Sequence, residues 1–556
     1  MNEIKVEENN TEQAKQEEQN MQIKSDMQEE LGVQTKSNIQ TNSDRLFCQI
    51  DIKKENYVLE NKPFCFIGIC ILYAVFFTIS FFKNFEGITY PLITVVTIGI
   101  CGLFLKKSNI PWKSSSWYCI IGAVLLGIST VLTTNGFVLF FNTIGIILLI
   151  TVYMIRQIYN DKYWNLGQYI CNILFLYLSM IPELASPFIN IGKYIRKNRT
   201  ENKKNKNVKY IVYGILLGIP MVCFAVALLS SADVIFSNYI GNIFRNFWGN
   251  IVFSPNLFLI IVLLMLGFFG SYTFLSALTL HNMPEWSPKK EKKNPITAIT
   301  FTGMITVIYL IFCAIQIVFL FTGGRMLPEG YTYAEYAHQG FFQLLFICIF
   351  NLILVVFCIS AFQKSPWLTA VLLVFSACTY VMIASSAFRM ILYIATYHLT
   401  FLRVLVLWFL AMLVILMAGV IYHIIKPQFP LFRYSMIVVT ICYLLFSFGK
   451  IDYWIAKYNV AQMGDTISYK DMSYLCSLSS DAAPAIKELN LRHSNHEEFK
   501  DYPEESYIPG CTACKAEQYF QWTIDNNKNK DIRNFNFSQY QAVKAAEAYN
   551  NRLTRK

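Results

Sequence analysis

The sequence predicts an all-α protein, a polytopic transmembrane helix bundle of about eleven spans with a small α-helical C-terminal soluble domain. Three observations predict this class. Apolar runs of about 20 residues, enough for a helix to cross a bilayer core of about 30 Å, recur from Phe64 to Gly449. Only 15% of the 556 residues are charged, whereas soluble domains carry about 25%. Lys and Arg gather in alternate loops, as the positive-inside rule requires.

The apolar runs define eleven candidate spans. Inside a bilayer each unpaired backbone group costs several kcal/mol, so we expect these runs to be helical. The candidate spans are Phe64–Phe82, Thr89–Leu105, Trp117–Thr134, Phe137–Ile155, Tyr210–Ser230, Leu257–Leu278, Thr297–Phe321, Phe341–Phe362, Leu368–Ala387, Leu402–Ile425 and Phe432–Gly449.

The basic loops orient these spans in the membrane. The loops after the even-numbered spans carry Lys or Arg, and the opposite loops are poor in both. This pattern predicts a cytoplasmic N-terminus. Because the number of spans is odd, residues 450–556 are then expected outside the cytoplasm. The basic residues are Lys106, Lys107, Lys113, Arg156, Lys162, Lys289, Lys290, Lys292, Lys293, Lys364 and Lys426.

One further apolar run, Leu166–Leu184, is flanked by basic residues on both sides. A crossing would leave one basic cluster on the outside, so we interpret the run as an interfacial or re-entrant helix. If it crosses, the C-terminal domain moves to the cytoplasm. The basic loop 193–209 that follows could hold anionic lipid headgroups, or it could act only as a topology determinant.

Composition divides the chain into three predicted domains. Residues 1–62 are polar and are expected to form a disordered cytoplasmic tail, because they cannot bury enough apolar surface to offset their ordering entropy. Residues 63–449 form the membrane domain. Residues 450–556 are predicted to be helical at 471–479, at 481–491 with Asp481 as N-cap, and at 538–549 with Ser538 as N-cap. A protein partner would suit this domain.

A cluster of polar residues predicts an outward-facing binding site. Ionisable groups near a membrane core are costly and therefore mark candidate sites. If 385–403 is one helix, Arg389, Tyr393 and Arg403 share a face, and Glu329 and Glu335 are their natural counterparts. Alternatively, both arginines extend to the membrane interface without a ligand. The candidate residues are Arg325, Glu329, Tyr333, Glu335, His338, Arg389, Tyr393 and Arg403.

Four stretches also carry a family resemblance: Leu327–Leu344, Ser386–Met390 with Leu402–Leu405, Ile451–Asn459, and Tyr474–Ile486. Together they resemble an uncharacterised family of bacterial polytopic membrane proteins, the domain of unknown function 4173, with the related 4153 group. The resemblance extends over roughly residues 210–545. It implies an inner or plasma membrane location and supplies no activity.

The C-terminal domain contains one possible metal site, formed by His493, His496, Cys511 and Cys514. Two pairs of ligands at this spacing could form a tetrahedral zinc site. A local disulfide between the two cysteines, or two free surface thiols, are the alternatives. We favour no metal site and expect no cofactor.

The sequence leaves three functions open. The first is an envelope sensing, binding or scaffolding protein; the second is a transporter or flippase for a small or lipid-like solute. The third is a membrane enzyme acting on a lipid-linked substrate, with Glu329, Glu335 or His338 as acid or base. There is no Gly-x₄-Gly-Lys-Ser/Thr loop and no His-Glu-x₂-His motif. The net charge of +11 resides mostly in short loops, so the bilayer rather than nucleic acid is the expected partner.

Overall fold

A computed structural model of the chain confirms the all-α class. The residues that it describes contain helices, turns and one isolated bridge between Lys293 and Phe362, and no strand. The described residues are 63–84, 86–161, 164, 166–197, short stretches between 214 and 241, 255–280, 283, 292–321, 341–463, 467–489, 512–527 and 531–553. The predicted N-terminal tail and most of the predicted span Tyr210–Ser230 lie outside them.

The helices of the membrane part are α1 (Pro63–Phe81), α2 (Thr89–Lys107), α3 (Trp117–Ser129), α4 (Gly136–Ile158), α5 (Leu166–Ser179), α6 (Ser186–Lys197), α7 (Pro255–Leu280), α8 (Pro295–Phe321), α9 (Phe341–Ala361), α10 (Pro366–Tyr397), α11 (Phe401–Ile425) and α12 (Leu431–Phe448). The C-terminal helices are α13 (Ile451–Met463), α14 (Tyr469–Ser477), α15 (Ala483–Ile486), α16 (Thr512–Asn527) and α17 (Phe537–Leu553).

The length and composition of these helices identify a multi-pass membrane protein. Ten helical segments in the described part of the chain are long and apolar enough to cross a membrane. One of the ten is Leu166–Tyr194, which joins α5 and α6. The third predicted span appears as a shorter apolar helix at Trp117–Leu132.

The two ends of the bundle differ in their loops. At one end, here called the basic end, α1 and α2 meet where the Lys107 ammonium contacts the Cys65 sulfur at 2.8 Å. The residues before α8 meet the end of α9 at this end too. The Lys293 N–H donates to the Ala361 carbonyl, and the Gln363 N–H donates to the Lys293 carbonyl, both at 3.0 Å. The opposite end, here called the docking end, carries the C-terminal helices.

The segment α5–α6 is a hairpin that starts and finishes at the basic end. Near its start, Tyr169 stacks on Phe432 in the first turn of α12, with ring centroids 3.5 Å apart. Near its finish, Tyr194 packs edge-on against Phe64 in the first turn of α1, at 5.5 Å. Helices α1 and α12 both begin at the basic end. These contacts therefore favour the interfacial or re-entrant interpretation over a crossing, despite the length and apolar character of the segment.

The membrane helices form two groups with separate cores. The first group contains α1–α5 and α7, with large buried side chains such as Tyr153 and Tyr272. The second group contains α8–α11, packed around residues such as Phe375 and Leu413. Helix α12 joins the groups. Its Ser447 hydroxyl donates to Asn142 of α4 at 2.8 Å, and Trp408 of α11 donates to its Cys442 carbonyl at 2.9 Å.

The C-terminal helices have a core of their own, in which buried alanines let α13, α15 and α17 pack closely against Phe520 of α16. Two of the predicted helix starts here were wrong. Asp481 lies in a 3-10 turn, Ser480–Ala482, and its side chain caps no helix. Helix α17 is capped by Asn536, whose Oδ1 accepts from the backbone N–H of Ser538 at 2.9 Å.

Candidate functional site at the docking end

The C-terminal domain is held to the first helix group by the buried carboxylate of Asp481. Its Oδ1 accepts hydrogen bonds from the backbone N–H and the hydroxyl of Thr134, both at 2.9 Å. Its Oδ2 accepts from the Thr133 hydroxyl at 2.6 Å. The Ser538 hydroxyl of α17 also donates to Oδ1. One side chain thus joins the α3–α4 loop to α17.

A second buried carboxylate, that of Asp452, lies at the start of α13. Its Oδ2 accepts from the Asn135 side-chain amide at 2.8 Å and from the Ser479 backbone N–H at 3.1 Å. Asn135 also caps α4, because its Oδ1 accepts from the Val138 N–H at 3.1 Å. The polar run Thr133-Thr134-Asn135 therefore binds both carboxylates.

Three buried oxygens beside this contact have no hydrogen-bond partner among the described residues: Asp452 Oδ1, the Ser479 hydroxyl and the Tyr519 hydroxyl. Burial raises the pKa of Asp452, and the nearby Asp481 carboxylate raises it further, against the lowering effect of the hydrogen bonds from the Ser479 backbone N–H and the Asn135 side-chain amide. Burial also raises the pKa of Tyr519, with smaller contributions from Cys476 and both carboxylates. The interface thus keeps a carboxyl group that resists ionisation.

Asn536 joins the C-terminal domain to the loops between the spans. Its amide donates to the carbonyls of Glu86, Thr130 and Thr133 at 3.0, 3.1 and 3.0 Å. Close by, the Asn84 amide donates to the Arg533 carbonyl at 3.0 Å. Because buried backbone carbonyls need partners, these bonds fix the domain on the α1–α2 and α3–α4 loops.

The same domain also contacts the second helix group. The Leu399 N–H donates to Asn459 Oδ1 at 3.0 Å, and the Asn459 amide returns a bond to the Leu399 carbonyl at 2.9 Å. The Phe401 N–H, at the start of α11, donates to the Tyr474 hydroxyl at 2.9 Å. The docking interface, defined by Asp452, Asn459, Asp481 and Asn536, therefore connects both helix groups through one domain.

The predicted outward-facing site is described only in part. Arg389 is buried in α10, and its Nη2 donates to Gln316 Oε1 of α8 at 3.2 Å. Ser385 donates to the same oxygen at 2.6 Å. Helix–helix hydrogen bonding is thus one role of Arg389. The other predicted members of this site in the 322–340 loop, Arg325, Glu329, Tyr333, Glu335 and His338, lie outside the described residues.

The region 385–403 is not one helix, so the prediction of a continuous face was wrong. Helix α10 ends at Tyr397, and His398 has a φ of 62°. Arg403 belongs to α11, but its guanidinium still lies over the Tyr393 ring at 4.2 Å. It also donates to the Tyr397 carbonyl at 2.6 Å and to the His398 carbonyl. Arg403 therefore closes the C-terminal end of α10.

The possible metal site is described only at Cys514. Cys514 lies in the first turn of α16 and is disulfide-bonded. Its partner, like His493, His496 and Cys511, lies outside the described residues. A disulfide sulfur is not a zinc ligand, because zinc binds the thiolate. Among the residues described, no group of three His, Cys, Asp or Glu could hold a metal ion.

Sequence reasoning missed the docking interface. Two signals were present. Asp452 is an acid placed directly after an apolar span, and Asn536 stands between two phenylalanines in a short polar segment. Polar residues at such positions are equally typical of solvated loops. Asp452 and Asn536 are buried because loop 130–135 contacts residues that are distant in the sequence, between 452 and 538.

A protein-family profile described as "Domain of unknown function (DUF4153)" matches residues 120–489, more than half of the chain. The chain belongs to this family. The predicted resemblance is thereby confirmed for the 4153 group. No curated protein and no solved structure matches the chain. The DUF4153 region includes Asp452, Asn459 and Asp481, whereas Glu86 and Asn536 lie outside it.

We predict that Asp452→Asn makes this DUF4153 protein more stable at neutral pH. The folded state holds the Asp452 proton to a higher pH than the unfolded chain does. The free energy of unfolding therefore falls as the pH rises through the folded pKa. An asparagine removes this loss, and its amide can donate to Ser479 or Tyr519, worth about 1 kcal/mol. Thermal unfolding in detergent at pH 5 and pH 7.5 measures the effect. A variant that is less stable at both values would contradict it.

We predict that Gly87→Ala loosens the C-terminal domain. A Cβ at Gly87 would stand 2.1 Å from the Arg533 carbonyl oxygen, which is backbone and cannot rotate away. Overpacking of this kind costs about 1–3 kcal/mol. Thermal unfolding measures the loss. Gly102→Ala is the matched control, because a Cβ there meets nothing within 4 Å. Equal melting of both variants would show that the contact is absent.

Proposed function

We propose that this protein senses or scaffolds envelope components in a bacterial cell membrane, with its C-terminal domain outside the cytoplasm. The observation that carries the proposal is the docking interface. One helical domain contacts the first helix group through Asp481 and the second through Asn459. A ligand on that domain would therefore act on both groups, and a movement between the groups would alter the domain.

Two observations support the proposed orientation. The C-terminal domain lies at the end of the bundle opposite the loops that carry Lys107, Lys293 and Lys364, which the positive-inside rule assigns to the cytoplasm. Cys514 is disulfide-bonded, and disulfides persist in oxidising compartments outside the cytoplasm.

A groove between α14 and α16 offers a surface for an envelope partner. Its volume is about 450 Å³, and its lining combines an exposed Trp522 with the polar side chains of Ser473, Lys515 and Gln518. A rigid aromatic beside adaptable polar groups is typical of recognition surfaces. The groove lies in the same domain as the docking interface. A partner bound in the groove would therefore bind the domain that is attached to both helix groups.

Cysteine labelling tests the orientation. We expect a membrane-impermeant maleimide to label Asn526→Cys in intact cells and Lys364→Cys only after permeabilisation, in a background where the exposed Cys65 and Cys171 are serine. The reverse pattern would place the C-terminal domain in the cytoplasm and end this form of the proposal.

Photo-crosslinking in intact cells tests the sensing role. A photoreactive residue at Gln518, in the groove, should give discrete adducts with envelope components. The matched control is Glu547, an exposed residue of α17 that does not line the groove. Equal adducts from both positions, or none from either, would argue against a specific partner at this surface.

A transporter or flippase is the second candidate, favoured by the polar contact of Arg389, Gln316 and Ser385 between α8 and α10. Buried thiols in the same group discriminate the two functions. Cys313 and Cys378 are buried and adjacent, with the Cys313 sulfur 3.5 Å from the Cys378 carbonyl. A hydrated pathway would let a small charged methanethiosulfonate modify them in the folded protein. A packed sensing bundle would protect them until the protein is unfolded.

A further inference from the structure

One edge of the C-terminal domain exposes large apolar side chains to its surroundings. This edge, here called the apolar edge, consists of Ile532, Phe535 and Tyr540, around the 3-10 turn Ile532–Asn534 and the first turn of α17. Ile532 is 87% exposed, Phe535 42% and Tyr540 47%. Such a cluster in water would be unfavourable, since burying one such side chain is worth about 1.5–3 kcal/mol.

Hydrogen bonds fix the height of this edge relative to the membrane helices. The Arg533 guanidinium donates to the Ile79 carbonyl in the last turn of α1 at 3.1 Å, and the Asn84 amide donates to the Arg533 carbonyl at 3.0 Å. Helix α1 has 19 residues and is therefore about 28 Å long, close to the thickness of a bilayer core. Its last turn then lies at the boundary of the hydrocarbon.

The apolar edge also adjoins the lipid-facing surface of α1. Leu72, Val75 and Ile79 are exposed large hydrophobic residues at helical spacings of three and four. In a membrane span, such a stripe faces lipid. Because Arg533 is bonded to the backbone of Ile79, Ile532 and Phe535 follow directly beyond the stripe, at the level of the lipid headgroups.

Among the described residues, charges of both signs flank the edge. The exposed Lys83 and Lys544 and the partly buried Arg533 accompany the acids Glu86, Asp531 and Glu547. Arg533 pairs with Asp531 at 3.5 Å, and the Lys544 ammonium lies 4.6 Å from the Tyr540 ring centroid. The aromatic and aliphatic side chains of the edge suit the interfacial layer of any bilayer, where rings with one polar end are favoured.

We infer that the C-terminal domain inserts Ile532, Phe535 and Tyr540 into the headgroup layer of the leaflet at the docking end. The occupant of this surface is the lipid bilayer itself. The contact is apolar, so it is independent of anionic lipid and of salt. It gives the domain a third attachment, besides the two helix groups, and holds the 3-10 turn Ile532–Asn534 and the first turn of α17 against the membrane.

Electron paramagnetic resonance on the full-length protein in nanodiscs of zwitterionic phosphatidylcholine tests this inference. Nitroxides are placed at Ile532→Cys and Phe535→Cys, with Cys65 and Cys171 changed to serine. Asn526→Cys, exposed at the end of α16, is the control. We expect collisions with oxygen to exceed those with a water-soluble nickel chelate at least threefold at 532 and 535, and the reverse at 526. Adding 1 M salt, where screening acts within about 3 Å, should leave the 532 and 535 values unchanged.

Three outcomes would overturn the inference. Dominant nickel collisions at 532, as at 526, would place the edge in water. Low collisions with both reagents, together with dipolar broadening that disappears on dilution with unlabelled protein, would show a second copy on the surface. Loss of the oxygen preference in salt would show that charges hold the edge. Ile532 is almost fully exposed, so the label itself should not unfold the protein, and thermal unfolding of the labelled variants checks this.

Discussion

Asp481→Ala should release the C-terminal domain from the first helix group. The variant removes an acceptor of four hydrogen bonds, from two atoms of Thr134 and from the hydroxyls of Thr133 and Ser538. The carboxylate is buried, so water cannot replace it without opening the interface. Each buried group left unsatisfied costs about 1–3 kcal/mol. We therefore expect a loss of at least about 3 kcal/mol in the free energy of unfolding of the domain.

The reactivity of Cys476 measures this release. Cys476 is partly buried in the C-terminal domain, and burial raises the pKa of its thiol to about 12. A thiol-reactive dye should modify Cys476 at a lower temperature in Asp481→Ala than in the unchanged protein. Asp525→Ala is the control, because Asp525 is exposed and, among the described residues, accepts from Gln521 of its own helix. If both variants react alike, the docking interface does not hold the domain.

Asp161→Ala should destabilise the basic end by about 3–5 kcal/mol, the usual cost of breaking a buried ion pair. The Asp161 carboxylate lies 2.9 Å from Arg156 Nε and also accepts from the Tyr169 hydroxyl of the re-entrant hairpin. Arg156 is 1% exposed and donates to the Tyr118 hydroxyl at 2.6 Å. The variant removes the carboxylate that pairs with the buried Arg156 guanidinium. It also removes the acceptor of the Tyr169 hydroxyl at the start of α5.

Unfolding in detergent, followed through the buried thiols Cys70, Cys101 and Cys119 of the same core, measures the loss. Lys364→Ala, an exposed change at the same end, should remain within about 0.5 kcal/mol of the unchanged protein. The double variant Arg156→Met with Asp161→Leu should recover part of the stability, because apolar replacement of a whole ion pair is often neutral. Additive losses in the double variant would contradict this account.

The membrane part was predictable because hydrocarbon imposes one rule on every span. Each apolar run must pair its own backbone, so the helices α1, α2, α4 and α7–α12 follow from composition and length. The interfacial or re-entrant placement of Leu166–Leu184 was inferred from charge on both flanks. The contacts of Tyr169 and Tyr194 support it, although length and composition alone also permit a crossing.

The site was less predictable because tertiary contacts determine the hydrogen-bond partners of its polar groups. Asp481 was assigned to a helix cap by its local pattern, but Thr133 and Thr134 draw its carboxylate into the docking interface. Arg389 and Arg403 were assigned one face by helical spacing, and the turn at His398 separates their helices. Local sequence patterns predict the hydrogen bonds that a side chain can make with its neighbours in the sequence. A distant loop can provide other hydrogen-bond partners once the chain has folded.

The unequal lengths of the membrane helices imply that α10 either tilts or projects beyond the hydrocarbon. Helices α1 and α2 have 19 residues each, about 28 Å, whereas α10 has 32 residues, about 48 Å. The excess length of α10 leads towards Leu399, whose backbone is bonded to Asn459. A change in bilayer thickness that alters the tilt of α10 would therefore move this attachment point of the C-terminal domain.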